Sequence, residues 1–501
     1  MLTMNPLRRI QSKSVLKLEP LSTCLPSAIL AATLVVGLSQ VIWATGLSAQ
    51  ETPPTTDGQK SVDVLETEME ELRDKLARLS VTKLNDEAND LVSDVNSTDE
   101  LQEDIQELQR QLALLAAEVE QLRSGEQEEA LTADQARALG VAPSAASIYE
   151  REDSGVSIAG YGEMLYENYA DKTEAGTTSA KGTKLDFLRH IFYMGYRFND
   201  KFLFNSEVEI EHADEIYLEF AYVDYQVRDN LTLRGGMLLI PLGLVNEFHE
   251  PNVFMGARRP QIERRIIPTT WRENGVGILG TDPSGKFSYR AYVTNGFNGA
   301  KFSTSGLRGG RQKGRKTMAS DMGFTGRLDF APTPGVFFGA GLYRGGSDQG
   351  QFTVDGSTVD VATTIVEVHG QVQVRGFDLR AMGARASLDN AAGLNKALEK
   401  SSSAGVAERM HGGYLQVGYD LLSQTNYTVG LTPYYRFEAI NTQATLPSTW
   451  VADKAQDGTF HTIGVELKPV PNVILKADYE VIRNAKQSGR NQFNLNLGYA
   501  F

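Results

Sequence analysis

One cysteine, Cys24, occurs in 501 residues, and it falls in a stretch expected to be removed. The mature protein is therefore expected to have no disulfide and no thiol chemistry. The six histidines are scattered and neither GxSxG nor HExxH occurs, so a metal centre, a cofactor or a hydrolase activity is not expected. Long apolar runs are also missing. Apart from one near the start, no run is long enough for a membrane helix, and the mean hydropathy is -0.28. A transmembrane β-barrel gives the same average, because only alternate residues of its strands meet lipid.

What is present favours that second reading. There are 47 glycines for tight turns, and 21 phenylalanines and 19 tyrosines for aromatic girdles. The last eleven residues, NQFNLNLGYAF, put Phe493, Leu495, Leu497, Tyr499 and Phe501 on one face, with Gln492, Asn494, Asn496, Gly498 and Ala500 on the other. This is a strand apolar outside and polar inside, of a length that crosses a bilayer when tilted. It is similar to the closing strand of bacterial outer-membrane barrels, in which the terminal aromatic belongs to a signal read by the barrel assembly machinery; here Phe493, Tyr499 and Phe501 would carry it.

The net charge of -14 is unevenly spread. Residues 51–154 hold 26 acidic and 9 basic residues, whereas 155–501 hold 36 of each. A near-neutral C-terminal part gives no basic face for nucleic acid, and any ion preference has to come from local placement.

Taken in order, residues 1–49 combine Arg8, Arg9, Lys13 and Lys17 with an apolar run and end at Leu47-Ser48-Ala49, the pattern of a signal peptide. A short linker, 50–60, follows. From 61 to 123 apolar residues recur at spacings of three and four (Val62, Leu65, Met69, Leu72, Leu76, Leu79; then Leu101, Ile105, Leu108, Leu112, Leu115, Val119, Leu122), which predicts an α-helical coiled coil with a stutter between the two seams. Residues 124–154 read as a second linker containing a short helix at LTADQARALG. From 155 to 501 the period is two, and sixteen antiparallel strands are expected. Short turns alternate with longer polar connections, which places both barrel termini and the coiled coil in the periplasm.

Sixteen strands enclose an aqueous lumen that something must narrow. The candidate is the third long loop, 241–271, whose charges are Arg258, Arg259, Arg264, Arg265, Glu247, Glu250 and Glu263. Strand parity turns Arg189, Glu207, Glu209, Glu211, Arg234, Arg290, Arg327 and Arg380 inward. The next long loop carries Arg308, Arg311, Lys313, Arg315 and Lys316, read either as an anion-collecting vestibule or as a solvated loop touching lipopolysaccharide phosphates.

The run LTLRGGMLLIPLGLVNEF followed by RENGVGILG resembles the phosphate-selective porin O and P family. Gly236, Pro241, Gly243 and Leu244 match the strand leading into the constriction loop, and Arg272, Gly275 and Val276 match the next strand. The resemblance covers about 155–501. It implies a trimeric outer-membrane porin for passive diffusion of small anionic or neutral hydrophilic solutes. The loop arginines favour anions, while the facing glutamates leave mixed or cation selectivity as alternatives. A structural tether acting through the coiled coil, with peptidoglycan as partner, is the competing reading.

Overall fold

The computed structural model describes residues 133–501 apart from 152, 179, 180 and 426. The expected signal peptide, first linker and coiled coil lie outside the described residues.

Eighteen strands follow one another: β1 (Gly155–Tyr169), β2 (Lys184–Arg197), β3 (Phe202–Glu211), β4 (Glu215–Arg228), β5 (Leu231–Leu239), β6 (Arg272–Thr281), β7 (Phe287–Asn295), β8 (Met322–Thr333), β9 (Val336–Gly346), β10 (Thr353–Val354), β11 (Ser357–Thr358), β12 (Ala362–Val374), β13 (Phe377–Leu388), β14 (Arg409–Tyr419), β15 (Gly430–Thr445), β16 (Asp457–Val470), β17 (Val473–Asn484) and β18 (Gln492–Ala500). All but β10 and β11 form one closed antiparallel barrel, sixteen strands in sequence order, with β1 pairing β18 to complete the ring. Closure leaves no free strand edge, the condition for a sheet in hydrocarbon. The hairpin β10–β11 belongs to the loop between β9 and β12.

The alternation read from the last strand is present: Gln492, Asn494 and Asn496 are buried inside while Phe493, Leu495, Leu497 and Tyr499 face out. The same division puts Val276, Phe324, Val368, Leu415 and Ile463 on the exposed outer surface. Besides four 3-10 turns, the described residues form four short α-helices: α1 (Ala133–Ala138), α2 (Ser147–Glu150), α3 (Ile262–Arg265) and α4 (Ala391–Ala397).

Buried apolar side chains form two clusters. One joins loop 241–271 to the outer loops, through Ile266, Ile267, Trp271, Phe297, Phe302, Leu307 and Leu394. The other is built by the segment 133–150, where Ala136, Val141, Ala145 and Ala146 pack on Tyr161, Tyr193, Phe220, Tyr222 and Leu238 of the wall. Residues expected to be a linker are thus part of the barrel's filling, because their small apolar side chains match a ring of inward-facing aromatics.

Candidate channel constriction

Loop 241–271 leaves β5 and turns into the barrel. Asn246 closes its two ends: its amide donates to the Ile240 and Trp271 carbonyls (2.7 and 3.0 Å) and accepts from the Trp271 N–H (2.7 Å). Gly243 sits at φ +76°, where a side chain would be strained and would meet Glu263 Oε2. Its carbonyl accepts from Arg327 (2.6 Å).

The far end of the loop crosses to the opposite wall, where charged side chains hold its backbone. Arg380 donates to Val253 O (2.8 Å), Lys476 to Phe254 O (2.7 Å), and Arg436 to Met255 O and Arg258 O (3.1 and 3.2 Å). In return Glu466 accepts from Gly256 N (3.1 Å), Asp478 from Ala257 N (2.7 Å) and Glu438 from Gln261 N (2.5 Å). Peptide groups buried away from their own kind need such partners, and ionic ones make the stronger bonds.

The loop's carboxylates and its arginines go to different places. Glu247 lies between Arg290 and Arg327 (3.6 Å each). Glu250 accepts from Ser144 N and Oγ (3.1 Å each), and Glu263 from Val245 N and Tyr414 (2.6 and 2.9 Å). All three are buried. Burial pushes Glu263 up to about 7.

By contrast, Arg258, Arg264 and Arg265 border a cavity of about 510 Å3 together with Lys181, Arg308 and Arg490, and among the described residues no carboxylate lines it. The neighbouring Arg258, followed by burial, pushes Arg264 down to about 9, which leaves it cationic at neutral pH. A second cavity of about 300 Å3 shares Arg258, Arg264 and Arg308 and adds Arg189, Arg259 and Lys184, facing Glu163, Glu167, Asp186 and Glu211. Arg258 itself reaches Glu167 (3.3 Å), Glu480 (4.0 Å) and Gln492 (2.8 Å).

The strand arginines named from parity do face inward, but they are paired. Arg189 meets Glu163 and Glu209 (3.3 Å each), Arg234 grips Asp224 with two bonds of 2.8 Å, Arg290 and Arg327 share Asp329 (2.7 Å each), and Arg380 grips Asp378 (2.9 and 2.7 Å). Glu207 and Glu209 are buried, while Glu211 lines the smaller cavity. The partners Glu163, Asp224, Asp329 and Asp378, with the loop-holding Arg436 and Lys476, were not singled out in the sequence. Pairs two residues apart, as in Arg327/Asp329, Asp378/Arg380 and Arg436/Glu438, were the available signal, since a strand puts both on one face.

The structure splits up the basic run after β7, whose sequence reads either as a vestibule or as a solvated loop. Arg308 reaches both cavities. Arg311 is turned onto the Pro268 and Thr270 carbonyls (3.1 and 2.7 Å), tying the two loops together. Lys313 stands 5.3 Å from the Tyr217 ring, and Arg315 and Lys316 are exposed. Gly314 and Thr317 lean on Asn274, which faces outward from β6 and so carries this part of the loop over the rim.

At the barrel's other end, segment 133–150 is fastened to the wall by polar bonds as well as by packing. Asn205 donates to Ala145 O (2.9 Å), Arg234 to Leu139 O (3.1 Å), Tyr149 to Asp224 (2.8 Å), and Arg290 to Arg137 O. Gly140, at φ +68°, lets the backbone pass Glu247 and Arg290 with no room for a side chain. Outside the barrel, Tyr499 bonds His190 Nδ1 (3.1 Å) and Phe501 stacks on the same imidazole (6.3 Å between centroids).

No protein-family model matches the chain. An uncharacterized protein of Aquifex aeolicus (strain VF5) is 38% identical over 357 residues, covering 68% of this chain and 78% of that protein. The chain belongs to that protein's family. Among solved structures, it is similar to a loop L8 deletion mutant of OmpT from Vibrio cholerae (15% identity, 70% of this chain, 99% of that one, TM-score 0.45). It is also similar to an anion-selective porin from Comamonas acidovorans (11%, 70%, 100%, 0.45) and to OprB of Pseudomonas putida (9%, 70%, 94%, 0.44).

Proposed function

We propose that the protein is a passive, non-enzymatic porin of the outer membrane, admitting small hydrophilic solutes with a preference for anions. The observation carrying this reading is the separation of charge within loop 241–271: its glutamates are buried against wall and segment 133–150, while Arg258, Arg264 and Arg265 line a cavity to which no described residue brings a carboxylate. In a low-dielectric enclosure such a cluster raises the local concentration of anions. Phosphate is one such solute, since guanidinium groups bind oxyanions with two parallel bonds. On this reading lipid and lipopolysaccharide surround the barrel, Phe493, Tyr499 and Phe501 serve its assembly, and the heptads of 61–123 hold three copies together from the periplasmic side. Uptake by proteoliposomes tests it: small anions should equilibrate faster than cations of equal size, and liposomes that stay impermeable would refute it.

One observation favours the tether as a second role. Segment 133–150 is bonded into the barrel, so force applied to the preceding chain would reach the wall without unfolding a linker.

A further inference from the structure

We propose that Glu207, Glu219 and His249 form a site for a single divalent transition-metal ion of the Zn2+ class, which fixes the near end of loop 241–271 to the barrel wall. The three residues come from β3, β4 and the loop, all are buried, and their nearest ligand atoms lie within 4.8 Å of one another. His249 Nε2 is 3.1 Å from Glu207 Oε1 and 3.3 Å from Glu219 Oε2. Donors bonded at about 2.0 Å to one tetrahedral ion stand about 3.3 Å apart, so both imidazole–carboxylate distances match such an ion, and binding would draw the two carboxylates to the same spacing from each other.

The tautomer points the same way. His249 Nδ1 bonds the Asn246 carbonyl (3.0 Å), so in the neutral ring Nε2 carries the lone pair. That lone pair meets two carboxylate oxygens, which are also acceptors, and an ion supplies what all three need. A ring whose other nitrogen is held by a backbone carbonyl is the usual outer arrangement of a metal-bound histidine.

The surrounding charges leave Glu207 to this role. Arg189 is held by Glu163 and Glu209, and Arg272 bonds Glu219 Oε1 (2.6 Å), leaving Oε2 turned to the imidazole. Arg259, half-buried, donates to the His249 carbonyl (3.5 Å). Glu207 Oε2 is buried without a hydrogen-bond partner, as is the hydroxyl of Tyr161, whose ring lies edge-on to His249. Glu219 is the extra residue of a bulge in β4, placed between Leu218, which pairs with Val208, and Phe220, which pairs with Glu207. Bulges re-aim side chains in this way. One imidazole with two carboxylates suits Zn2+, Mn2+ or Co2+ better than the all-oxygen preference of Ca2+ or Mg2+.

The test uses full-length protein purified in detergent, stripped with EDTA and titrated with Zn2+ by calorimetry and with Co2+ by visible absorption. The expected result is saturation at one ion per chain with the d–d bands of a low-symmetry Co2+ site, and affinity weakened about 100-fold or more in His249→Ala and Glu207→Gln. Saturation that both variants retain would overturn the proposal by placing the ion elsewhere. If a variant does not fold, the wild-type Co2+ titration decides alone. Absence of a saturable spectrum there would overturn it too, and would assign the cluster to an imidazolium held between two carboxylates.

Discussion

Ser144 donates both its backbone N–H and its hydroxyl to Glu250, 106 residues further along the chain. This pair joins the segment ahead of the barrel to the loop inside it. Two fillings of the lumen, one entering from the chain's start and one from β5, therefore support each other.

Removing residues 133–150 should open the side of the lumen lined by Tyr193, Phe220, Tyr222 and Tyr292. Single-channel conductance in planar bilayers is expected to rise roughly twofold or more, since the narrowest section dominates resistance. An unchanged conductance would mean that the current follows another route.

Arg436 holds Met255 O and Arg258 O while pairing with Glu438 (2.9 Å). Arg436→Met strands a buried carboxylate and two carbonyls, a loss of about 3–5 kcal/mol. The midpoint of heat modification on denaturing gels should fall. Adding Glu438→Gln should recover part of the loss, because the uncompensated charge is then gone.

Glu263 gives a pH dependence whose direction follows from burial. Its carboxyl is raised from 4.5 to about 7, so between those values the folded protein keeps a proton that the unfolded chain releases. Stability from this group is fully present below about 4.5 and is lost as pH rises toward 7. Melting followed by circular dichroism should show a higher midpoint at pH 5 than at pH 8, and Glu263→Gln should flatten part of that difference.

The exposed pair Arg315 and Lys316 provides the contrast for the lumenal arginines. Alanine at both should leave ion selectivity unchanged at physiological salt, where charges beyond about 8 Å are screened. A shift comparable to that of the cavity arginines would return this loop to the channel mouth.

The strand alternation and the turn rhythm were legible from sequence because each strand meets lipid on one face and water or polar filling on the other. The alternation of Gln492 to Ala500 was read directly. The filling was less legible. Segment 133–150 has the small residues of a linker, and only the ring of Tyr161, Tyr193 and Phe220 waiting inside the barrel gives it a place. Parity identified inward arginines such as Arg234 and Arg380, but not that Asp224 and Asp378 neutralise them, since pairing depends on rotamers and on cross-strand register. Nor does a list of charges in loop 241–271 say which turn to the wall. That sorting depends on Ser144, Tyr414, Arg290 and Arg327, which lie far away in sequence.

The proposed anion preference rests on Arg258, Arg264 and Arg265. The most direct measurement is the zero-current potential across an about tenfold KCl gradient, for the wild type and for the triple alanine variant at these positions. A clear chloride-selective potential is expected in the wild type, collapsing toward zero, or changing sign, in the variant. A wild-type potential near zero, or one that the triple variant leaves in place, would contradict it.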